Sequence, residues 1–311
     1  MRDRNDGKGH FKTFDETINI GGFFLSTALL LQCLLNGLSM GLTYALMALG
    51  LTLIFGMMHI VNFAHGELFM LGGFCLFYLN EQLGLNFFLA FLLTLLILGF
   101  FGFFLERVVF RPITGQVRPQ IVASLGVSLV LVNMGYLVFG LKSKSVESVI
   151  PGVTQIFGAY IAKERIMAMA FSILLVGALY LLLQKTKVGR AMRAVQQNEE
   201  AAALQGVDVH WINSLGWGCA TALAAAGGAL LAPIFSVHPA MGYRPVCLAF
   251  VIVIIGGLGS IPGAFFGALI IGLVESFVGT LFGSEFAWGS IFMFAILMIL
   301  MKPQGLFKGY V

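Results

Sequence analysis

The sequence predicts an all-α polytopic membrane protein with about eight or nine hydrophobic helices, including segments that are re-entrant or broken by glycine and proline. Of the 311 residues, 59% are hydrophobic and only 10% are charged, which leaves too little polar surface to cover a soluble globule. Several stretches contain no Asp, Glu, Lys or Arg, and each is about long enough for one or two helical crossings of about 20 residues. These stretches are 17–66, 82–105, 119–141, 166–184, 209–243, 245–274 and 286–301.

The first uncharged stretch, residues 17–66, predicts two crossings joined by a turn. As a single helix it would measure about 75 Å, more than twice the hydrocarbon core of about 30 Å. The pair Asn36-Gly37 and the nearby Gly41 favour a turn. We therefore expect crossings near 23–40 and 42–59.

A polar break follows in the stretch HIVNFAHGE, residues 59–67. Ionisable groups at membrane depth are costly and normally face protein or a watery path. The break therefore either lines a translocation path or caps the ends of a broken helix, and the pattern favours neither. A metal site is disfavoured, because the spacing is not HExxH and no further His or Cys cluster supplies ligands. We expect a helix end here, with Glu67 facing protein. The candidate path or gate residues are Asn62, His65, Gly66 and Glu67.

Basic residues cluster in three of the connections between the later crossings. The stretches 107–118, 185–193 and 302–308 hold nine Lys or Arg, against five in the loops left on the other side. The positive-inside rule places these three connections in the cytoplasm. The crossings that they separate are predicted near 68–80, 84–106, 120–140, 166–184, 211–235 and 286–301.

The longest polar segment between apolar runs is residues 187–210. Arg190, Arg193 and Glu200 recur at helical spacing among alanines, and Gly206 is a plausible helix terminator. This segment is the part of the chain most able to meet a water-soluble partner. The pattern fits equally well a solvated connecting helix that binds nothing.

The second half of the chain has its own break, in the Gly- and Pro-rich stretch 254–267. The apolar piece before it, 246–258, would be about 20 Å long as a helix, which is short for a full crossing. Interrupted segments in both halves are typical of a transport path, and we expect the two breaks to meet at a common path or gate. Close packing through the GxxxG of 263–267 is the alternative. The candidate path residues here are Gly256, Gly257, Gly259, Ser260 and Glu275.

Several strings in fixed order carry a family resemblance. They are NGLSMGLTYAL (36–46), GLTLIFG (50–56), VNFAHGE (61–67), GRAMRAVQQN (189–198), ALQG (203–206), GGLGS (256–260) and PQGLF (303–307). Over about residues 30–307 the chain resembles the permease subunits of high-affinity branched-chain amino-acid importers of the ABC (ATP-binding cassette) class. The polar N-terminal start departs from the family pattern.

The resemblance implies a complex in the bacterial inner membrane. This chain would pair with a second homologous permease, two cytoplasmic ATPases and a periplasmic substrate-binding protein. Its segment 187–206 would dock on an ATPase as a coupling helix. Catalysis, a cofactor or a nucleic-acid partner is not expected for this chain, since it contains no GxxxxGK[ST] motif and ATP would be used by the partners. The residues implied in coupling are Gly189, Arg190, Arg193, Ala194, Asn198, Glu200 and Gly206.

The resemblance leaves the substrate open. Branched-chain amino acids (leucine, isoleucine and valine) are expected, but related permeases carry urea or short amides, and the matching strings do not separate these substrates. A secondary, ion-coupled transporter is the alternative from another class. It would use titratable groups in the membrane, for which His65, Glu67 and Glu275 are the candidates.

The expected domain organisation is simple. Residues 1–20 are polar with both signs of charge and predict a disordered tail. Residues 21–305 form one transmembrane domain, and residues 306–311 form a cytoplasmic tail.

Overall fold

The computed structural model describes residues 17–20, 23–302 and 304–307, and within them the chain is a helical bundle with two small β-hairpins. The hairpins are β1 (Thr17–Ile20) with β2 (Phe23–Ser26), and β3 (Val153–Ile156) with β4 (Ala159–Ala162), both antiparallel. The helices are α1 (Thr27–Met58), α2 (His65–Phe77), α3 (Phe87–Leu105), α4 (Val117–Phe139), α5 (Lys163–Lys185), α6 (Lys187–Gln197), α7 (Glu199–Leu204), α8 (Val209–Leu231), α9 (Tyr243–Gly256), α10 (Ile261–Leu281) and α11 (Ser284–Met301).

Seven of these helices are long and apolar enough to cross a membrane: α1, α3, α4, α5, α8, α10 and α11. Helix α9 has only 14 residues, which is about 20 Å and too short for a full crossing. Helix α2 has 13 residues and continues directly into a five-residue π-helix, Tyr78–Gln82. Each is preceded by non-helical backbone within the bundle. The architecture confirms the prediction of an all-α polytopic membrane protein with broken segments.

Helix α1 is continuous over 32 residues, so the prediction of two crossings near 23–40 and 42–59 is wrong. The glycines that were expected to form a turn instead allow α1 and α10 to pack closely. A Cβ atom on Gly37 would lie 2.9 Å from Leu273 Cα, and one on Gly41 would lie 3.0 Å from Leu269 Cα. The helix is about 48 Å long, and in the described part of the uncharged run it is preceded by β1 and β2 and followed by the non-helical residues 59–64 and the start of α2.

Helices α1 and α8 form the centre of the bundle. Of the residues in the most apolar 18-residue stretch of each helix, 83% are buried in α1 and 11% are buried in α4. Trp217 of α8 is fully buried, stacks on Phe110 with ring centroids 4.3 Å apart, and directs its indole N–H at Met58 Sδ. The peripheral helices present apolar side chains outward, as expected for a protein surrounded by lipid.

The described parts of the three basic connections lie at one end of the bundle, which we call the α6 end. Arg111 Nη2 donates to Ser214 Oγ at 2.6 Å, and both groups contact the buried carboxylate of Glu106. The 304–307 segment joins this end through Phe307 N–H, which donates to the Gly256 carbonyl at 3.1 Å. The opposite end carries β3 and β4. The assignment of the α6 end to the cytoplasm stays a prediction.

The two predicted tails lie largely outside the described residues. Residues 1–16 and 308–311 are not described. Of the predicted N-terminal tail, Thr17–Ile20 forms β1.

Candidate functional site

The first break runs from the end of α1 to the start of α2. His59 has a positive φ of 55°, which ends the helix, and residues 59–62 carry no regular secondary structure. Asn62 is fully buried, and its Oδ1 accepts a hydrogen bond from Ala64 N–H at 3.1 Å. This turn starts α2 at His65, in agreement with the expected helix end at 62–67.

The polar side chains at the start of α2 face protein. His65 is fully buried, and its Nε2 lies 3.1 Å from the Met47 carbonyl oxygen. Glu67 is 9% exposed, and its Oε1 accepts a hydrogen bond from Ser128 Oγ at 3.1 Å. As expected, Glu67 faces protein, here α4. His65 and Glu67 contact different helices and do not form a joint site.

The first break is closed by the start of α9. A Cβ atom on Gly66 would lie 2.5 Å from the Gly242 carbonyl oxygen, and one on Gly242 would overlap the Gly66 carbonyl. Phe63 packs on Phe250 with ring centroids 5.1 Å apart. The N-terminal ends of the two short helices, α2 and α9, therefore meet inside the bundle.

The second break lies between α9 and α10. Gly257 and Gly259 have φ values of 103° and 78°, a conformation that other residues rarely adopt. Ser260 then caps α10, its Oγ accepting from Gly263 N–H at 3.2 Å. Gly256 packs directly on Gly263, so the small residues serve close packing as well as the break.

The second break is held from the α6 end. Gln196 of α6 donates from Nε2 to the Gly259 carbonyl at 2.9 Å. Leu306 N–H donates to the Ile255 carbonyl at 2.8 Å, which satisfies a carbonyl at the end of α9. The first break packs on the start of α9, and Gly259 of the second break packs on Gly56 near the end of α1. That the two breaks form a common path or gate stays a prediction.

The segment expected to couple to an ATPase is two helices rather than one. Thr186 caps α6, while Asn198 ends α6 and caps α7 through a 2.8 Å hydrogen bond from Ala201 N–H. Gly189 packs so closely on Leu183 that a Cβ atom there would overlap backbone. Gly206, with φ of 82°, follows α7 as the predicted terminator.

The side chains of α6 divide between a buried face and an exposed one. Met192 and Val195 are buried, whereas Arg190 is exposed. Arg193 is half-buried and donates to Gln184 Oε1 at 2.5 Å, rather than pairing with the glutamates of α7. Ala194 is half-buried, and Glu200 is exposed on α7. The exposed part of this segment is therefore basic on α6 and acidic on α7.

A cavity of about 1030 Å³ connects α6 to the second break. Its walls are apolar side chains of α5 and α10, and Leu49 of α1 also lines it. Arg190 and Arg193 line it together with Gly259 and Ser260. The structure thus brings the predicted coupling residues and the predicted second-break residues to one cavity.

Glu275 lies apart from both breaks. Its Oε1 accepts a hydrogen bond from Arg244 Nη2 at 2.5 Å, and the Arg244 guanidinium lies 4.8 Å from the Trp288 ring centroid. No group of three or more metal-ligating side chains occurs in the described part of the chain.

Sequence reasoning missed three residues that the structure singles out. Gln196 bridges α6 and the second break, Arg244 neutralises Glu275, and Leu204 at the end of α7 is 87% exposed. Arg244 could have been noticed from the sequence, because it is the single charged residue between two long apolar runs. Nothing in the local pattern marks Gln196 among its polar neighbours.

These features define a class of protein: a polytopic membrane protein of the transporter type, with broken helices inside the bundle and a polar helix pair at one end. Residues 33–301 match the family described as the permease component of branched-chain amino acid transport systems. The chain belongs to this family.

Two curated relatives support the same assignment. The high-affinity branched-chain amino acid transport system permease protein BraD of Pseudomonas aeruginosa is 32% identical over 291 residues, covering 89% of this chain and 95% of that protein. The corresponding protein LivH of Escherichia coli is 30% identical over 291 residues, covering 89% and 94%. A solved structure, PsaBC from Streptococcus pneumoniae in complex with Fab, matches 89% of this chain and 92% of that one, at 14% identity and a TM-score of 0.44.

Proposed function

We propose that this chain forms part of the inner-membrane path of an ABC importer for branched-chain amino acids. A periplasmic binding protein would deliver leucine, isoleucine or valine, a second homologous permease would complete the path, and two cytoplasmic ATPases would drive it. Family membership and the relatives' descriptions support the substrate class. The hydrogen bond from Gln196 to the Gly259 carbonyl is the observation that carries the coupling mechanism.

In this mechanism an ATPase docks on the exposed surface of α6 and α7. Arg190 supplies positive charge and Leu204 supplies an apolar contact, a combination suited to a groove with acidic and apolar walls. Because α6 packs through Met192 and Val195, a push on the helix would move it as a rigid body. Gln196 would pass that movement to Gly259.

The second break is the natural place for this movement to act. Its backbone between Gly257 and Ser260 is not part of a helix, so changes in φ and ψ there cost less than unwinding a helix. The cavity beside it would open or close as α10 shifts relative to α6. The predicted gate would thus lie at the α6 end, where Gly259 packs on Gly56 near the end of α1.

The test is uptake by the complete importer in proteoliposomes, with the binding protein on one side and ATP on the other. Leucine uptake should require ATP and should survive collapse of the proton gradient. Uptake that follows the proton gradient and ignores ATP would instead identify a secondary transporter. The ligand that raises the melting temperature of the purified binding protein distinguishes branched-chain amino acids from urea or short amides.

A further inference from the structure

The ion pair between Arg244 and Glu275 lies at membrane depth. Helices α9 and α10 touch at Gly256 and Gly263, and the two charged residues lie twelve positions beyond this contact on their respective helices. This places them about 18 Å from the second break, with Glu275 inside the sequence of α10, a helix long and apolar enough to cross a membrane. The Glu275 side chain is 12% exposed, but that of Arg244 is 48% exposed. A charge at this depth faces protein or water rather than lipid.

Further polar groups complete a cluster around this pair. Tyr44 of α1 is buried against Glu275, and both Arg244 and Arg165 are close enough to act on it electrostatically. Arg165 Nη1 donates to the neutral side chain of Asn36 at 3.0 Å, and among the described residues Arg165 forms no ion pair. The cluster therefore contains two guanidinium groups and one carboxylate, which leaves an excess of positive charge.

The carboxylate of Glu275 can accept further hydrogen bonds. Its Oε2 is buried and among the described residues meets no donor at full hydrogen-bond geometry, although the Tyr44 hydroxyl lies close enough to interact with the carboxylate. An ionised carboxylate accepts several hydrogen bonds, so this oxygen is available for a further donor. Below the cluster, one face of α9 presents Cys247, Phe250 and Ile254 at helical spacing, each at least partly exposed.

We propose that Arg244, Glu275 and Arg165 recognise the two charges of an amino-acid zwitterion on its way through the permease, which rests on the proposed function. The substrate carboxylate would replace Glu275 on the Arg244 guanidinium, whose planar fork fits a carboxylate. The substrate ammonium group would replace Arg244 on Glu275. This exchange leaves no buried charge unpaired, and Arg165 supplies the additional attraction for the carboxylate.

The apolar face of α9 would provide the contact for the aliphatic side chain of the substrate. A branched aliphatic side chain would lie against Cys247, Phe250 and Ile254, between the charged cluster and the second break. Urea and short amides carry neither of the charges that the cluster would satisfy. The cluster thus favours zwitterionic amino acids over these neutral substrates.

The decisive experiment compares two neutralised ion pairs in the reconstituted importer with its binding protein. The test variant is Arg244→Gln with Glu275→Gln, and the matched control is Glu106→Gln with Arg111→Gln, which removes an ion pair at the α6 end. We expect the test variant to assemble and to keep ATPase stimulation by loaded binding protein, while maximal leucine uptake falls at least about tenfold. The control should keep uptake within about twofold of the wild type, because both charges of this largely buried pair are removed together and the amide oxygen introduced at position 106 can still accept from Ser214.

A structural role for the pair gives a different result. If the single variants impair uptake and the double variant restores it, the pair only stabilises α9 against α10 and the proposal is wrong. Should the double variant fail to assemble, Arg244→Lys keeps the charge and loses the fork, and an unchanged uptake rate in that variant also overturns the proposal. Wild-type import of urea and not leucine would contradict the proposed function itself, whereas leucine import unaffected by these variants rejects only the zwitterion cluster.

Discussion

The two breaks in the helical bundle are held by different kinds of contact. The first, at 59–64, is closed by direct backbone packing of Gly66 on Gly242, and its Asn62 side chain is fully buried. The second, at 257–260, is also closely packed, with Gly256 on Gly263 and Gly257 on the Phe307 carbonyl, but it is in addition bonded to α6 through Gln196. A side-chain hydrogen bond of this kind is worth only about 1 kcal/mol, and it joins the break to a helix at the end of the bundle. We infer that the first break, which has no hydrogen bond to α6 among the described residues, is a fixed point and that the second is the part that moves.

The largest effect on uptake is expected from reversing the basic charge on α6, the helix that is bonded to the second break. In the Arg190→Glu, Arg193→Glu variant we expect uptake to be abolished, because both charges and the bond to Gln184 are lost from the surface that would meet the ATPase. Co-purification of the ATPase and leucine uptake are the measurements. The matched control is Lys142→Glu with Lys163→Glu at the opposite end of the bundle. If the α6 variant keeps both ATPase binding and uptake, α6 is a solvated connecting helix.

Cutting the link from α6 to the second break should have the next largest effect. Gln196→Leu removes the donor to the Gly259 carbonyl, and we expect uptake to fall roughly tenfold while ATPase binding persists, since coupling between sites is typically worth about 1–3 kcal/mol. Gln197→Leu is the control, because Gln197 is the exposed neighbour on the same helix. Equal uptake by both variants would remove Gln196 from the mechanism.

The fixed break should respond in stability rather than in coupling. Gly66→Ala places a Cβ atom against the Gly242 carbonyl, and overpacking of this kind costs about 1–3 kcal/mol. The melting temperature of the purified permease should fall accordingly. Gly126→Ala, where a Cβ atom meets nothing within 4 Å, should leave it unchanged. A Gly66→Ala variant of normal stability would show that the first break yields easily and is not a fixed point.

The smallest effect is expected from Glu67→Gln. The amide oxygen can still accept from Ser128, so folding should be retained while the loss of charge alters the uptake rate modestly. Glu67→Leu leaves the hydroxyl of Ser128 without this acceptor, at a cost of about 1 kcal/mol or more, and assembly should be impaired. Yield of assembled complex and uptake rate separate the two variants. Full folding and full activity of Glu67→Leu would remove Glu67 from the candidate site.

Hydropathy and local pattern predicted much of the fold. The crossings near 84–106, 120–140, 166–184, 211–235 and 286–301 correspond to α3, α4, α5, α8 and α11. Both breaks were also predicted. A polar cluster marked the first and a run of glycines marked the second, and each interrupts a helix through residues that are neighbours in the sequence. The error in α1 has the opposite cause: Gly37 and Gly41 are turn residues by local preference, but packing on α10 keeps them helical.

The sequence by itself determined that this chain is a membrane protein of broken helices with a polar segment between α5 and α8, since these properties depend on composition and on residues close together along the chain. Only the tertiary structure decided which break meets which element. Gln196 and Gly259 are 63 positions apart, and Arg244 and Glu275 are 31 apart. Gly66 and Gly242 lie in different halves of the chain. Such partners are selected by helix packing and by the cost of leaving a buried polar group unpaired, and both depend on the whole bundle.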